Sequence, residues 1–520
     1  MGAPGDRLRR GPASGATLAL YALGPDLAIR RTGVLRRLDN GPRPPQDSAM
    51  MERSTMPPDA PAALSALWTT AGGDPVALDH ARLRGDGPVL PSSFRVAMMA
   101  QASIAAVGLA AAQAWFARTG SWQEVAVDRR HAAAEFRSEH YLTVDGQGPG
   151  SLWDPIAGLY ATACGGHIRL HTNFAHHRDA VCDLLGCFAK REAVAAELAC
   201  RDASAFEVAL HACGGVGAAL RSQADWDAHA QGRAVAALPL IATEKIGEAS
   251  PRALPDGPRP LSGLRVLDLT RIIAGPVAGR ALAAHGATVM RVAGPELPFI
   301  DWAVKDTGRG KLSAYCDLTT QEGRAALTAL VTGADIVLDA YRPGALERLG
   351  FGPAAMARLR PGIVHVSLNA WGQDGPWAGR RGFDSLVQTA SGFNDEEGRA
   401  AGDGQPRALP CQALDHGTGY LMALAAILTR LRQAGEGGSW SVNLSLARTG
   451  LWLRSLGREP EGFAVADPAP ADVADLLESA LSPFGAMRHV RHAAQMETTP
   501  AHWVRPAVPL GSHPPVWPES

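Results

Sequence analysis

The sequence predicts an α/β protein, a doubly wound parallel sheet accompanied by a smaller α+β domain, on three observations. Four short apolar runs, at 265–269, 287–292, 335–339 and 363–368, alternate with helical segments on short loops. That alternation builds strand–helix–strand units and hence a parallel sheet. A proline-rich stretch, 246–259 (I-G-E-A-S-P-R-A-L-P-D-G-P-R), precedes them and reads as a linker. Ahead of that linker, residues 61–245 mix helices with a hairpin and do not alternate.

Bulk properties bound the function. A chain of 520 residues has room for two or three domains. With 46% hydrophobic residues, a net charge of −1 and no basic patch, it is expected to fold as an ordinary globular protein with no nucleic-acid partner. No apolar run approaches the ~20 residues a membrane span needs, so no membrane association is expected. Seven cysteines, an odd number without a C-x-x-C pair, fit buried thiols in a reducing, cytoplasmic setting.

Taken in order, residues 1–60 are rich in arginine and Gly-Pro steps and read as a disordered or mis-assigned extension, with Met50, Met51 and Met56 as candidate initiators. In 61–245, Val96 to Phe116 is an Ala-rich buried helix and Glu124–Asp128 a strand. Gly158–Ala163 and His167–Leu170 form a hairpin-like pair, and helices follow near 179–185, 192–200 and 205–211. His167, His171, His176 and His177 invite a metal reading. The His-x-x-x-His pair lies on a strand and its exit, however, where the two side chains do not converge, so no metal is expected. In 260–455 the strands alternate with helices from Arg265 onward, and 456–520 is a C-terminal tail. A dinucleotide site is not expected, because A-G-P-V-A-G (274–279) is not G-x-G-x-x-G and no acidic residue ends the second strand.

The stretch 410–432 (P-C-Q-A-L-D-H-G-T-G-Y-L-M-A-L-A-A-I-L-T-R-L-R) is an extended segment turning into a buried helix, with Leu421, Leu424, Ile427, Leu428 and Leu431 at helical spacing and Asp415 at the turn. Taken alone, Asp415 reads as an N-cap.

Six segments change that reading: 260–276 (P-L-S-G-L-R-V-L-D-L-T-R-I-I-A-G-P), 310–318 (G-K-L-S-A-Y-C-D-L), 334–350 (A-D-I-V-L-D-A-Y-R-P-G-A-L-E-R-L-G), 371–378 (W-G-Q-D-G-P-W-A), 381–392 (R-G-F-D-S-L-V-Q-T-A-S-G) and the Asp415 stretch. In order and spacing they resemble the family III CoA-transferases, a group that includes formyl-CoA and carnitine CoA-transferases and α-methylacyl-CoA racemases. The resemblance implies a Rossmann-like sheet and a reaction in which CoA passes between an acyl-CoA and a carboxylic acid through a covalent aspartyl intermediate on Asp415. CoA and acyl-CoA are then substrates, and no permanently bound cofactor is expected. Further implied are CoA contacts from Ile273, Ala274, Cys316, Asp317, Leu318, Thr319, Ala340, Tyr341, Arg342, Arg348 and Arg381. Asp384 is a second acid or a strand-end cap, and Gly417 and Gly419 are candidate N–H donors to an oxyanion. Arginine is apt where phosphates bind, since its fork donates two parallel hydrogen bonds.

The sequence departs from the family pattern in three places. Ala293 and Gly294 replace an acidic and a basic residue after the second strand, and Thr319 stands where a lysine can follow the D-L motif. Phe383 occupies the position of the racemase histidine, which disfavours racemisation. His416, next to Asp415, is expected to project away. Chain order departs most: 112–128 resembles the segment after the Asp helix, 155–235 the family's small domain, and 435–446 repeats the first of these. This implies a rearranged fusion of two partial copies, with Ala97 at the first copy's nucleophile position and one site per chain. The segment 61–245 would then close over the acyl group. Family members form interlocked dimers, so a homodimer is an expectation. Two alternatives remain: a CoA-dependent racemase or isomerase of the same fold, and a non-catalytic acyl-CoA-binding protein.

Overall fold

The computed structural model describes residues 58–519. The extension expected over 1–60, with its three candidate initiators, lies outside the described residues apart from 58–60.

A seven-stranded sheet organises the described residues. Its strands are β1 (Ala242–Gly247), β2 (Arg265–Asp268), β3 (Thr288–Ala293), β4 (Lys311–Tyr315), β5 (Ile336–Asp339), β6 (Val364–Asn369) and β7 (Ser439–Ser445), in the spatial order β4-β3-β2-β5-β6-β7-β1. All neighbours are parallel except β7 and β1. The four predicted strands are β2, β3, β5 and β6. They are legible because successive residues point into two different cores: Val266, Ile336 and Leu338 into one, Leu267 and Val337 into the other. The chain runs outward from β2 through β3 to β4, then returns to the other side of β2 for β5, β6 and β7. That reversal leaves a crevice beyond the carboxyl ends of β2 and β5.

The Asp415 helix, Ala413–Glu436, packs against β6 and β7, against helix Ala274–Ala284 and against the long helix Val96–Thr119. Glycine permits the closest approach. A Cβ on Gly419 would sit 2.5 Å from the Ala274 carbonyl oxygen and 2.9 Å from Val277, and one on Gly417 would sit 2.9 Å from the Met99 methyl. Gly419→Val is therefore expected to cost about 1–3 kcal/mol through overpacking, read as a lower denaturant midpoint; an unchanged midpoint would refute the tight contact.

Helix Val96–Thr119 corrects one expectation. By length and composition it could cross a membrane, yet 94% of its most apolar window is buried inside the protein. Its apolar length is masked in the sequence by Gln101, Ser103 and Gln113. Gln101 donates to the carbonyls of Arg84 and Val127 at 2.7 and 3.0 Å, so its amide is satisfied within the core.

Residues on either side of 246–259 share this core. β1 ends at Gly247, and the stretch beyond it has no regular structure. It is pinned by Arg252, which donates to Asp335 at 2.9 Å, and by Arg430, which donates to the carbonyls of Arg252 and Ala253. Residues 456–519 are likewise built in. The hairpin Leu477–Ser482 with Gly485–Val490 pairs with Thr143–Val144, and Ala494–Met496 pairs with Val125–Asp128. The smaller α+β element consists of an antiparallel sheet (Gly158–Ala161, His167–Leu170, Gly217–Ala219) packed against helices Ala175–Leu185, Arg191–Leu198 and Ala203–Ala212.

A buried ionic cluster joins these parts. Asp306 accepts from Arg280 at 2.6 Å, Arg309 at 2.7 Å and the Ser138 hydroxyl at 2.8 Å, and Arg309 also donates to the Val490 carbonyl at 2.8 Å.

Candidate active site

Two cavities meet at Asp415. The first, about 400 Å³, lies in the crevice between β2 and β5; the second, about 220 Å³, lies beside it. Ile272, Ile273, Phe383 and Asp415 line both and form the neck between them. The turn carrying Ile272 is forced: its φ is +74°, a left-handed conformation that a β-branched residue rarely adopts. Such strain costs on the order of 1–3 kcal/mol and collects at functional sites.

Asp415 is the third residue of its helix, and Gln412 is the N-cap, so Asp415 does not cap it. The helix start is served instead by Asp384, whose Oδ2 accepts the Asp415 N–H at 2.8 Å and which also receives the Leu414 N–H and the Gln388 side-chain amide. Asp384 is thus an acid standing directly behind Asp415 and not a strand-end cap. It opens helix Asp384–Ala390 and holds the Asp415 helix from outside. The Asp415 carboxylate accepts no hydrogen bond from the described residues and is 8% exposed, into the cavities. Burial first, then the carboxylates of Asp384 and Glu139, push its pKa well above the usual carboxylate range. Burial also raises the Asp384 carboxyl, while its N–H donors pull the other way.

The larger cavity is cationic. Arg271, Arg342, Arg380 and Arg381 line it. Arg271 donates to the Pro298 carbonyl and lies over the Phe174 ring, and Arg381 donates to the Gly214 carbonyl at 3.3 Å. Helix Ala274–Ala284 begins at its wall without a side-chain cap, presenting N–H groups of Ala274 and Gly275 at its positive end. Of the expected contacts, the structure gathers Ile273, Ala274, Ala340, Tyr341, Arg342 and Arg381 here, and Asp384 in the second cavity.

Others lie elsewhere. Cys316, Asp317, Leu318 and Thr319 sit beyond β4, roughly two strand spacings of about 4.8 Å from β2, and line neither cavity. There Cys316 is core and Asp317 closes a turn on the Thr319 N–H and hydroxyl. Arg348 is exposed on the short helix Ala345–Arg348, also outside both cavities. Gly417 and Gly419 belong to the helix interior, where an N–H bonds the carbonyl four residues back. They serve packing, and the oxyanion role expected of them is not supported. His416 turns away as expected: its Nε2 meets Glu139 Oε2 at 3.0 Å. Sequence reasoning missed Arg271, Arg380, Glu139, Trp153, Arg169 and Trp302. All but Arg271 and Arg380 line only the second cavity.

Among the described residues no three metal-ligating side chains converge. His171 instead stacks on Phe383, with ring centroids 3.7 Å apart, and burial drives the pKa of His171 and His177 down to about 3.

The comparison with known proteins agrees with this geometry. Residues 261–457 match the model of CoA-transferase family III. This segment is similar to CoA-transferase family III. It resembles an acetyl-coenzyme A transferase of Hypoxylon pulicicidum at 36% identity, covering 41% of this chain and 36% of that one. It is 31% identical to a probable fatty acyl-CoA transferase of Mycobacterium tuberculosis, over 41% of this chain and 58% of the relative. A succinate–glutarate CoA-transferase of Agrobacterium fabrum is 35% identical over 35% of this chain and 50% of its own length. The chain therefore spans 36% to 58% of the length of these curated relatives. The matched segment supplies Asp415, the neck and most of the larger cavity. Residues 139–173, outside the matched segment, supply Glu139, Trp153, Arg169 and His171 to the smaller one.

Proposed function

We propose that the protein is a CoA-transferase that moves CoA between an acyl-CoA thioester and a carboxylic acid through covalent intermediates on Asp415. One observation carries the reading: an unbonded, buried carboxylate stands at the neck between a long cationic cleft and a smaller chamber. The cleft suits the phosphates and pantetheine arm of CoA, and the chamber suits the acyl group.

An Asp415 oxygen attacks the thioester carbonyl; the C–S bond breaks, CoA leaves as thiolate, and a mixed anhydride remains. The thiolate attacks Cγ of Asp415, releasing the first acid as carboxylate and leaving an aspartyl-CoA thioester. The incoming carboxylate attacks that Cγ and expels the thiolate, which then takes the new acyl group and restores the Asp415 carboxylate. Each step exchanges one acyl bond for another, the advantage of nucleophilic catalysis. Burial serves it twice, by excluding water from the anhydride and by leaving the carboxylate poorly solvated and hence reactive. An isomerase would need a second proton-transfer group at the neck, and Phe383, stacked on His171, supplies none.

Intact-mass spectrometry after incubation with a panel of acyl-CoAs, with hydroxylamine trapping, tests the proposal. An adduct mapping to Asp415 supports it; CoA binding with no adduct and no exchange across the panel would return the protein to the binding-only alternative.

The pH profile gives a second test. Asp415 attacks as carboxylate and its pKa is raised, so kcat/KM should climb with pH above the ordinary carboxylate range. Asp384→Asn removes a neighbouring negative charge while keeping an oxygen to accept the Asp415 N–H. Its acid limb is expected at lower pH than the wild type's; an unmoved limb would show that Asp415 does not feel Asp384.

A further inference from the structure

A third space lies behind the neck, and two cations line it. It measures about 10 Å³, room for one water-sized particle, and Ile272 lines it as well as both larger cavities. Arg291, on β3, lines this space and is 4% exposed. Its Nε and Nη1 are buried without a hydrogen-bond partner among the described residues. Asp268 stands across from it in the register of β2 and β3. That carboxylate is already taken, by Lys311 Nζ at 2.7 Å and by the Thr270 N–H at 2.9 Å. The second cation, Arg271, donates to the Pro298 carbonyl. Burial depresses the Arg291 pKa, Asp268 pulls it up, and the charge of Arg271 depresses it further. No carboxylate lines the space, whose remaining wall is apolar, with Ala293, Phe299 and Leu510. Glu296 and Asp301, the acids in the adjoining loop, are exposed. Buried N–H groups without an acceptor are costly, and so is a buried charge without a counter-charge.

We propose that this space is a halide site, in which one chloride ion accepts hydrogen bonds from Arg291 Nε and Nη1 and offsets the charge of Arg271. Size and chemistry select the guest. The space admits a single water-sized particle, so phosphate, sulfate and organic carboxylates are too large for it. Charged N–H donors favour an anion over water, since their hydrogen bonds are roughly twice as strong when the acceptor is charged. Ala293 leaves that anion to come from solution: it ends β3 at the wall of the space, at the position where the acidic residue of the family pattern is missing. Place sets the role. Asp415 does not line the space, but Arg271 and Ile272 do, so the ion holds the turn whose left-handed residue shapes the neck. The site stands on its own geometry and does not depend on the transferase reading.

The experiment uses the whole protein without CoA. Unfolding midpoints are measured in chloride and in gluconate at equal ionic strength, for wild type, Arg291→Met and Ala293→Asp, and wild-type crystals are soaked in bromide. Wild type should unfold roughly 2–4 °C higher in chloride, as for an ion that binds only the folded state and is present far above its dissociation constant. Bromide should give an anomalous peak beside Arg291 Nε. Arg291→Met removes the donors and should lose the chloride increment. Ala293→Asp should lose it as well, with a midpoint in gluconate near that of wild type in chloride, because its own carboxylate fills the space. Should Ala293→Asp fail to fold, Arg291→Met and the bromide map decide the matter. Water in place of bromide beside Arg291 would overturn the site. A chloride increment retained in Arg291→Met would overturn it too, locating the ion among the arginines of the larger cavity.

Discussion

Asp415→Ala is expected to lower transfer by at least about 1,000-fold, in line with the loss of a covalent nucleophile, while leaving the fold intact or slightly firmer. The two halves of that expectation have one cause. A carboxyl whose pKa is raised by burial and by Asp384 and Glu139 is worse off ionised in the folded protein than in the unfolded chain, so removing it relieves the fold. Because it accepts no hydrogen bond among the described residues, its loss strands no donor. CoA binding, measured by calorimetry, should survive, because the arginines of the larger cavity lie along the cleft and Asp415 stands at its inner end. If activity and unfolding midpoint fell together, Asp415 would be a structural residue.

Asp306→Ala is expected to act in the opposite sense, on stability. Removing this carboxylate leaves Arg280 and Arg309, 1% and 2% exposed, facing each other uncompensated. Breaking a buried pair in this way costs about 3–5 kcal/mol. Burial alone would raise the Asp306 pKa, but the attraction of Arg280 and then Arg309 outweighs it and holds the value at about 2. A carboxylate depressed in the folded state contributes stability above its unfolded value of about 3.9. That contribution is lost as pH falls through about 2. Urea titrations between pH 7 and pH 2 should therefore show wild type losing part of its advantage over Asp306→Ala only at the acid end. A constant gap would mean that the carboxylate's charge is not what stabilises.

The parts of the molecule visible in the sequence are those whose physics is local. Strands β2, β3, β5 and β6 are visible because runs buried on both faces leave a continuous apolar string. The Asp415 helix is visible because its leucines and isoleucine recur every three or four residues. Asp415 itself could be singled out only by resemblance, since the same residue at a helix start is an equally good cap. The partners that define its chemistry are remote in sequence: Glu139, Trp153 and Arg169 come from a segment more than 240 residues earlier, and no spacing rule links them to the neck. Gly417 and Gly419 show a subtler failure. Two glycines at a helix start suggest exposed N–H donors, but Asp415 enters at the third helical position, so the glycines fall one turn too deep and face neighbouring helices. The Arg271 and Arg380 cations were hidden because one occupies a loop after β2 and the other a loop before Asp384, where arginine is ordinarily a solvated residue.

The walls of the smaller chamber and the carboxylate between the cavities belong to one covalent chain, with helix Val96–Thr119 lying along the Asp415 helix. Bringing those walls together is consequently a unimolecular event, governed by the effective concentration the connecting polypeptide imposes and not by how many molecules share the solution. Completion of this chamber is therefore insensitive to dilution. Cutting the backbone within 248–259 would make it sensitive: the two fragments would have to meet, and site occupancy would then follow their concentrations by mass action.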